Sequence, residues 1–196
     1  MFSLVCAQNW EQSYIAGSMD SESIFMGGSE ILNLEIHKNK LYASLGYWQD
    51  ENNIWYGGSN FNLGWAQILR LDTKDDQWEV DLNLGLNFLR PEILKEIVFT
   101  KDLFGNQLEN PDTILIAGAY SVNYFSGSVK ANIFLRNDVS GEWNQLLVFE
   151  GDLSDGESYS MRDIEIYTDQ ITGIEHLIVS VGTKGIFSGK YNPNSE

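Results

Sequence analysis

The chain has 196 residues, 43% of them hydrophobic and 13% aromatic, the composition of a folded domain rather than a disordered one. Twelve basic residues against 28 acidic ones give a formal charge of −16, which leaves no basic stripe for phosphates and excludes nucleic acid and anionic membrane surfaces as expected partners. A single cysteine, Cys6, excludes an intramolecular disulfide or a thiolate metal cluster, and no run reaches the roughly 18 apolar residues of a membrane span, so a soluble chain is expected.

Residues 1–28 read as a lead-in segment. Its start, Met1 to Gln8, is apolar but too short and insufficiently basic for a complete signal peptide, which leaves the compartment open. Ala16 to Ser23 is rich in Ser, Gly and acids and predicts a loop. From residue 29 the chain runs one local programme three times, with units at 29–90, 91–158 and 159–196. Each unit opens with an apolar hairpin. In the first, Ile31, Leu32, Leu34 and Ile36 lead through the polar turn His37 to Lys40 into the small-residue strand Leu41 to Gly46. In the second, Ile97 to Thr100 passes through a longer turn from Lys101 to Asp112 into Thr113 to Ala119. In the third, Ile164 to Tyr167 turns through Thr168 to Gly173 into His176 to Gly182.

A third strand follows a connection of changing length: Tyr47 to Trp65, then Ser121 to Lys130, then only Thr183 to Lys184. Constant strands with variable tips predict a fixed scaffold that carries its specificity in those tips. Fourth strands are expected from Trp78 and from Trp143. If Tyr191 to Glu196 matches Leu71 to Asp76, the corresponding Trp of the third unit falls beyond residue 196, so that unit is expected to be incomplete. The stretch Arg90 to Ile97, with Pro91 suited to a helix start, predicts the single helical turn.

A repeat of about 60 residues built from short strands is a unit that cannot bury its faces alone. The first unit's Leu41 to Gly46, followed by Ile68 to Asp72 and Trp78, resembles the kelch pattern, with Gly46 alone where kelch repeats carry paired glycines. The second unit's Arg136 to Trp143 resembles an Asp-box, with Arg136 and Ser140 at the usual Ser and Gly positions. The resemblance covers roughly residues 29–196 and implies an all-β fold: a partial β-propeller of about three four-stranded antiparallel blades. In such a fold Ala43, Ser44, Ala117, Gly118 and Ser180 suit crowded inner strands. Trp78 and Trp143 would lie between blades with their indole N–H groups partnered, and Asp72 and Asp138 would satisfy turn amides. A ring normally takes about four or more blades, so the missing ones are expected from a longer chain, of which this is a fragment, or from a homo-oligomer.

The long tip of the first unit places Tyr47, Trp48, Trp55, Tyr56 and Trp65 among Asn, Gln and Asp. Such side chains stack on sugar faces or form a protein-contact hot spot, so these five are the candidate ligand residues and the expected partner is a protein or a carbohydrate. Asp152, Asp155 and Glu157 surround Gly156 and supply oxygen ligands for Ca²⁺; a plain surface turn is the competing reading, and no other cofactor is expected. The Asp-box resemblance extends to sialidases, which implies a propeller glycoside hydrolase as the alternative function. The four arginines available for it are Arg70, Arg90, Arg136 and Arg162, of which Arg70 and Arg136 occupy equivalent repeat positions. His37 and His176 each border a hairpin turn and are expected at turn edges. With no nucleophile elbow or phosphate loop, the expected function is a non-catalytic binding or interaction module.

Overall fold

The computed structural model describes residues 11–47, 66–123, 125–156 and 158–192. Among them no α-helix occurs, and no helix is long and apolar enough to cross a membrane. The fold is all-β. A short hairpin, β1 (Ser18–Met19) and β2 (Phe25–Met26), precedes three larger antiparallel sheets. The first sheet holds β3 (Glu30–His37), β4 (Lys40–Gly46), β5 (Gln67–Leu71) and β6 (Glu79–Asn83). The second holds β7 (Ile93–Lys101), β8 (Gln107–Asn123), β9 (Ser128–Arg136) and β10 (Trp143–Asp152). The third holds β11 (Met161–Thr168), β12 (Glu175–Val181) and β13 (Gly185–Lys190). Each is a meander in which every strand pairs with the next in sequence.

Turn chemistry explains the hairpins. Lys38 and Asn39 both have positive φ, the pair of left-handed residues that a two-residue turn needs to match strand twist. In the second sheet the Asp102 carboxylate accepts from the N–H groups of Phe104 and Asn106, closing a tight turn where the sequence suggested a long one. β8 accordingly starts at Gln107, and the next hairpin continues to Asn123 and resumes at Ser128, shortening that connection as well.

The expected helical turn at Arg90 to Ile97 is instead the start of β7. Ile93, Ile97 and Phe99 are buried against the third sheet and Leu94 against the first, so both faces of this stretch are covered. Burial on alternating faces favours the two-residue period and overrides local helix propensity. Pro91 precedes the strand, where its missing N–H breaks no ladder bond.

The sheets stack face to face, and the cores lie between them. Tyr42 and Ile68 of the first sheet pack on Leu115, Ala117 and Phe134 of the second. The other face of the second sheet, with Ile116, Ala131 and Ile133, packs on Ile164, Val179 and Val181 of the third. The far face of the first sheet, with Leu45, Leu69 and Trp78, is covered by Met26 of the small hairpin. The fully buried Gln67 fixes that hairpin by accepting from Gly27 N–H and donating to the Phe25 carbonyl. The three opening strands lie side by side, β7 between β3 and β11.

Register ties the copies together. Ser44 pairs with Ile68, Gly118 with Ile133 and Ser180 with Ile186, so these positions correspond. A bulge falls at the same place in the first and third sheets, between Ile31 and Asn33 and between Met161 and Asp163. The same register corrects one expectation from sequence: Arg70 corresponds to Leu135, and Arg136 lies one position further along. The two arginines are not equivalent, and they sit on facing sheets.

Candidate functional site

The interface between the first and second sheets carries a continuous row of charged groups. Lys40 Nζ donates to Asp72 at 2.8 Å, and Arg70 Nε donates to the same carboxylate at 2.6 Å. Arg70 also donates to Asp81 at 2.6 Å, and Arg136 reaches Asp81 through Nε at 2.7 Å and a second nitrogen at 3.2 Å. Arg136 continues to Asp138 at 2.8 Å, whose carboxylate lies 2.9 Å from His37 Nε2. His37 Nδ1 completes the row, 2.8 Å from Glu96. From Lys40 to Asp138 the row alternates in sign along its length.

Asp81 is the hub, its side chain 2% exposed. It also accepts from the Trp143 indole N–H at 2.8 Å. Burial alone would push its carboxyl up, but the hydrogen bonds from Arg136 and Trp143 and the charge of Arg136 outweigh that and hold it below the ordinary carboxylate value. Tyr42 lies under the Arg136 guanidinium, 5.5 Å from ring centroid to Cζ. Its phenol is pushed up to about 12, first by burial, with the Asp81 charge adding to this and Arg136 opposing it. This arrangement positions charges against one another and occupies three of the four arginines: Arg70 and Arg136 hold protein carboxylates, and Arg90 pairs with Glu92 and Glu30.

The second feature is a cleft of about 540 Å³ between the second and third sheets. Ile114, Ile133, Leu135 and Leu146 form one wall and Leu177 and Gly189 the other. Phe99 and Tyr191 stack beside it with centroids 4.2 Å apart, and the Tyr191 hydroxyl donates to Asp112. Arg136, Asp138, Lys38 and Lys190 stand at the polar rim. Its lining mixes the apolar residues of both walls with Asp112, Thr113, Asn137, Asn144 and Asn192.

Of the candidate ligand residues, Tyr47 is 3% exposed, and its N–H donates to the Leu89 carbonyl at 3.2 Å. It anchors the base of the long connection. Trp48, Trp55, Tyr56 and Trp65 lie outside the described residues. Of the calcium candidates, Asp152 accepts from Ser154 N–H, and Asp155 accepts from the Tyr159 hydroxyl and the Lys184 ammonium. These carboxylates close a turn and balance a cation, while Glu157 lies outside the described residues. Among the described residues no cluster of His, Cys, Asp or Glu is arranged to hold a metal ion.

Asp72 and Asp138 serve the ionic row rather than turn amides; Asn137 accepts from Val139 and Ser140 N–H instead. Trp143 finds its partner in Asp81, whereas the Trp78 indole N–H has none among the described residues and packs edge-on to Tyr14. His37 borders its turn as expected, yet it is fully buried and bridges to carboxylates 59 and 101 residues away, which no local pattern signals. Glu96 and Asp81 were likewise hidden among 28 acidic residues. A scan against protein-family models and searches of curated proteins and solved structures return no match to this chain.

Proposed function

We propose that this chain is a non-catalytic binding module of β-propeller type, its three sheets acting as blades and its ligand site formed by the connections between second and third strands. The reading is supported by consecutive meanders stacked face to face with their opening strands adjacent. The kelch-like and Asp-box-like turns of the first two units agree with it.

The observation that carries the binding assignment is the bracing at the end where those connections emerge. Tyr47 N–H donates to Leu89, Val122 N–H to Asn87, Leu153 N–H to Gly127 and Gly182 N–H to Ser160. Each bond ties a strand end or strand connection to a neighbouring segment of the same rim. A braced rim carrying a long connection rich in Trp, Tyr and Asn suits recognition of a carbohydrate or a protein surface. Three of the four arginines, Arg70, Arg136 and Arg90, are engaged with Asp72, Asp81, Asp138 and Glu92, so no cluster of them is left for the substrate carboxylate of a sialidase, and this favours binding over hydrolysis.

A glycan array and an affinity pull-down test the reading. Retained ligand is expected with the wild-type chain and lost in the Trp48→Ala/Trp55→Ala variant. Retention undiminished in that variant removes the connection from the site, and turnover of a synthetic sialoside replaces the reading with the enzymatic one. The remaining blades are supplied by a longer chain or by further copies, and sedimentation of the isolated chain as a compact monomer overturns that part.

A further inference from the structure

His37 is fully buried at the end of the ionic row, and both its ring nitrogens face carboxylates. Nδ1 lies 2.8 Å from Glu96 Oε2, and Nε2 lies 2.9 Å from each oxygen of Asp138. A neutral imidazole carries one N–H and one lone pair, and an ionised carboxylate can only accept. Neutral His37 between two ionised carboxylates therefore sets one lone pair against another at hydrogen-bond distance. Both contacts hold together only when the trio of Glu96, His37 and Asp138 carries one further proton. Imidazole is ordinarily the stronger base, about 6.5 against about 4 for a carboxylate, so that proton rests on the ring.

The surrounding groups decide what happens when it leaves. Besides Glu96 from β7 and Asp138 from the turn after β9, the ring faces Tyr42 of β4 with centroids 6.1 Å apart, and Arg136 of β9 stands behind Asp138 at 2.8 Å. The Tyr42 phenol, pushed up to about 12 chiefly by burial, keeps its own proton through the neutral range. Arg136 fixes Asp138 in place, whereas Glu96, with a side chain 31% exposed, can turn to water. Directly after His37 the turn holds Lys38 and Asn39 at φ of 48° and 62°, a backbone state that persists where neighbouring contacts enforce it.

We propose that this trio is a proton-operated latch between the first and second sheets. Protonated, it ties the β3–β4 turn to β7 and to the β9–β10 turn at once. When the proton leaves, the imidazole keeps its Nε2–H on Asp138, the Nδ1 lone pair meets the Glu96 carboxylate, and Glu96 swings out. Lys38 and Asp138 belong to the polar rim of the cleft, so the step loosens that rim. The latch lies at the opposite end of β4 from the connections assigned above and stands whether or not they bind a ligand.

The test is an NMR titration of the whole ¹⁵N-labelled chain from about pH 5 to about pH 10, a range that brackets imidazole titration. Long-range imidazole spectra report which nitrogens of His37 carry hydrogen, and the amide signals of Lys38 and Asn39 report the turn. Hydrogen on both nitrogens is expected at the acid end and on Nε2 alone at the alkaline end, with the two amides moving in the same step. In Glu96→Gln the side-chain amide can donate to a neutral Nδ1, so both contacts survive deprotonation. The ring should still titrate there, while the amide movements of Lys38 and Asn39 shrink to a third or less. A neutral ring at the acid end, or a ring doubly protonated up to the alkaline end, overturns the latch. So does an Nδ1–H tautomer after the step, or amide movement undiminished in Glu96→Gln. Where that variant fails to fold, the protonation pattern of the wild-type ring and the movement of its turn amides decide.

Discussion

Replacing Asp81 by alanine removes a carboxylate held between two guanidinium groups. Asp81 accepts two hydrogen bonds from Arg136, one from Arg70 and one from the Trp143 indole. In the variant, Arg136, with a side chain 8% exposed, faces Arg70 with nothing between them, and the indole N–H loses its acceptor. Breaking a buried ion pair from one side costs about 3–5 kcal/mol. Arg136 retains Asp138, Arg70 retains Asp72, and Arg70 is 26% exposed to screening water, which places the expected loss near the lower end, at about 3 kcal/mol. With an m-value of about 2 kcal/mol/M, that moves the urea midpoint down by about 1.5 M. Equilibrium urea unfolding followed by circular dichroism measures it, with Asp75→Ala as the control, because the Lys74–Asp75 pair is almost wholly in solvent and should be silent. In a double-mutant cycle, adding Arg136→Met to Asp81→Ala should recover part of the loss. A shift no larger than that of Asp75→Ala would refute the claim that the ionic row holds the two sheets together.

The same row sets an acid limit. The Asp81 and Asp72 carboxyls are held low in the folded chain against the opposing effect of burial, so their contribution is fully present above the unfolded value of about 4 and is lost as pH falls through the lowered folded values. Thermal melts from pH 7 to 3 should fall steeply below about pH 4, and Asp81→Asn should flatten that limb; an unchanged limb excludes Asp81 as its source. Gly46→Ala puts a Cβ 2.3 Å from that of Arg90 and should cost about 1–3 kcal/mol by overpacking, whereas Gly189→Ala enters open space and should leave the melting temperature level or slightly raised. Changing Lys38 and Asn39 to Asn-Gly relieves two positive-φ residues and should stabilise the chain by about 0.5–1 kcal/mol, visible as a raised urea midpoint. A lowered midpoint would mean that Lys38 serves a contact worth more than its strain.

The strands were legible in the sequence where information is local. Alternating Ile and Leu, small-residue second strands and Asp- or Asn-bearing turns marked most of the hairpins and both Trp-led fourth strands. The passage from Arg90 to Ile97 misled because Pro, Glu, Leu and Lys suit a helix start, and only the packing of two other sheets on Ile93, Leu94 and Ile97 decides for a strand. Site geometry was less legible still. Arg70 and Arg136 looked like repeated copies of one position, yet a one-residue offset in register turns their side chains to opposite faces of their respective sheets, so that they point toward each other and meet at Asp81. Position in the repeat carries no information about such an offset until the strands are paired.

The two large interfaces differ in kind, and this gives the molecule a weak seam. The first and second sheets share charges that cannot be exposed singly without leaving an unpaired partner, so they should open together as one cooperative unit. The third sheet is held mainly by apolar contact, by the carboxylates of Glu92 and Glu175, which accept from backbone N–H groups of the sheet across the interface, and by the separate ion pairs of Lys95 with Asp163 and Glu165 and of Lys184 with Asp155. It can separate without stranding a charged row, so amide exchange should be fastest in β11 to β13 and slowest around β4, β5 and β9.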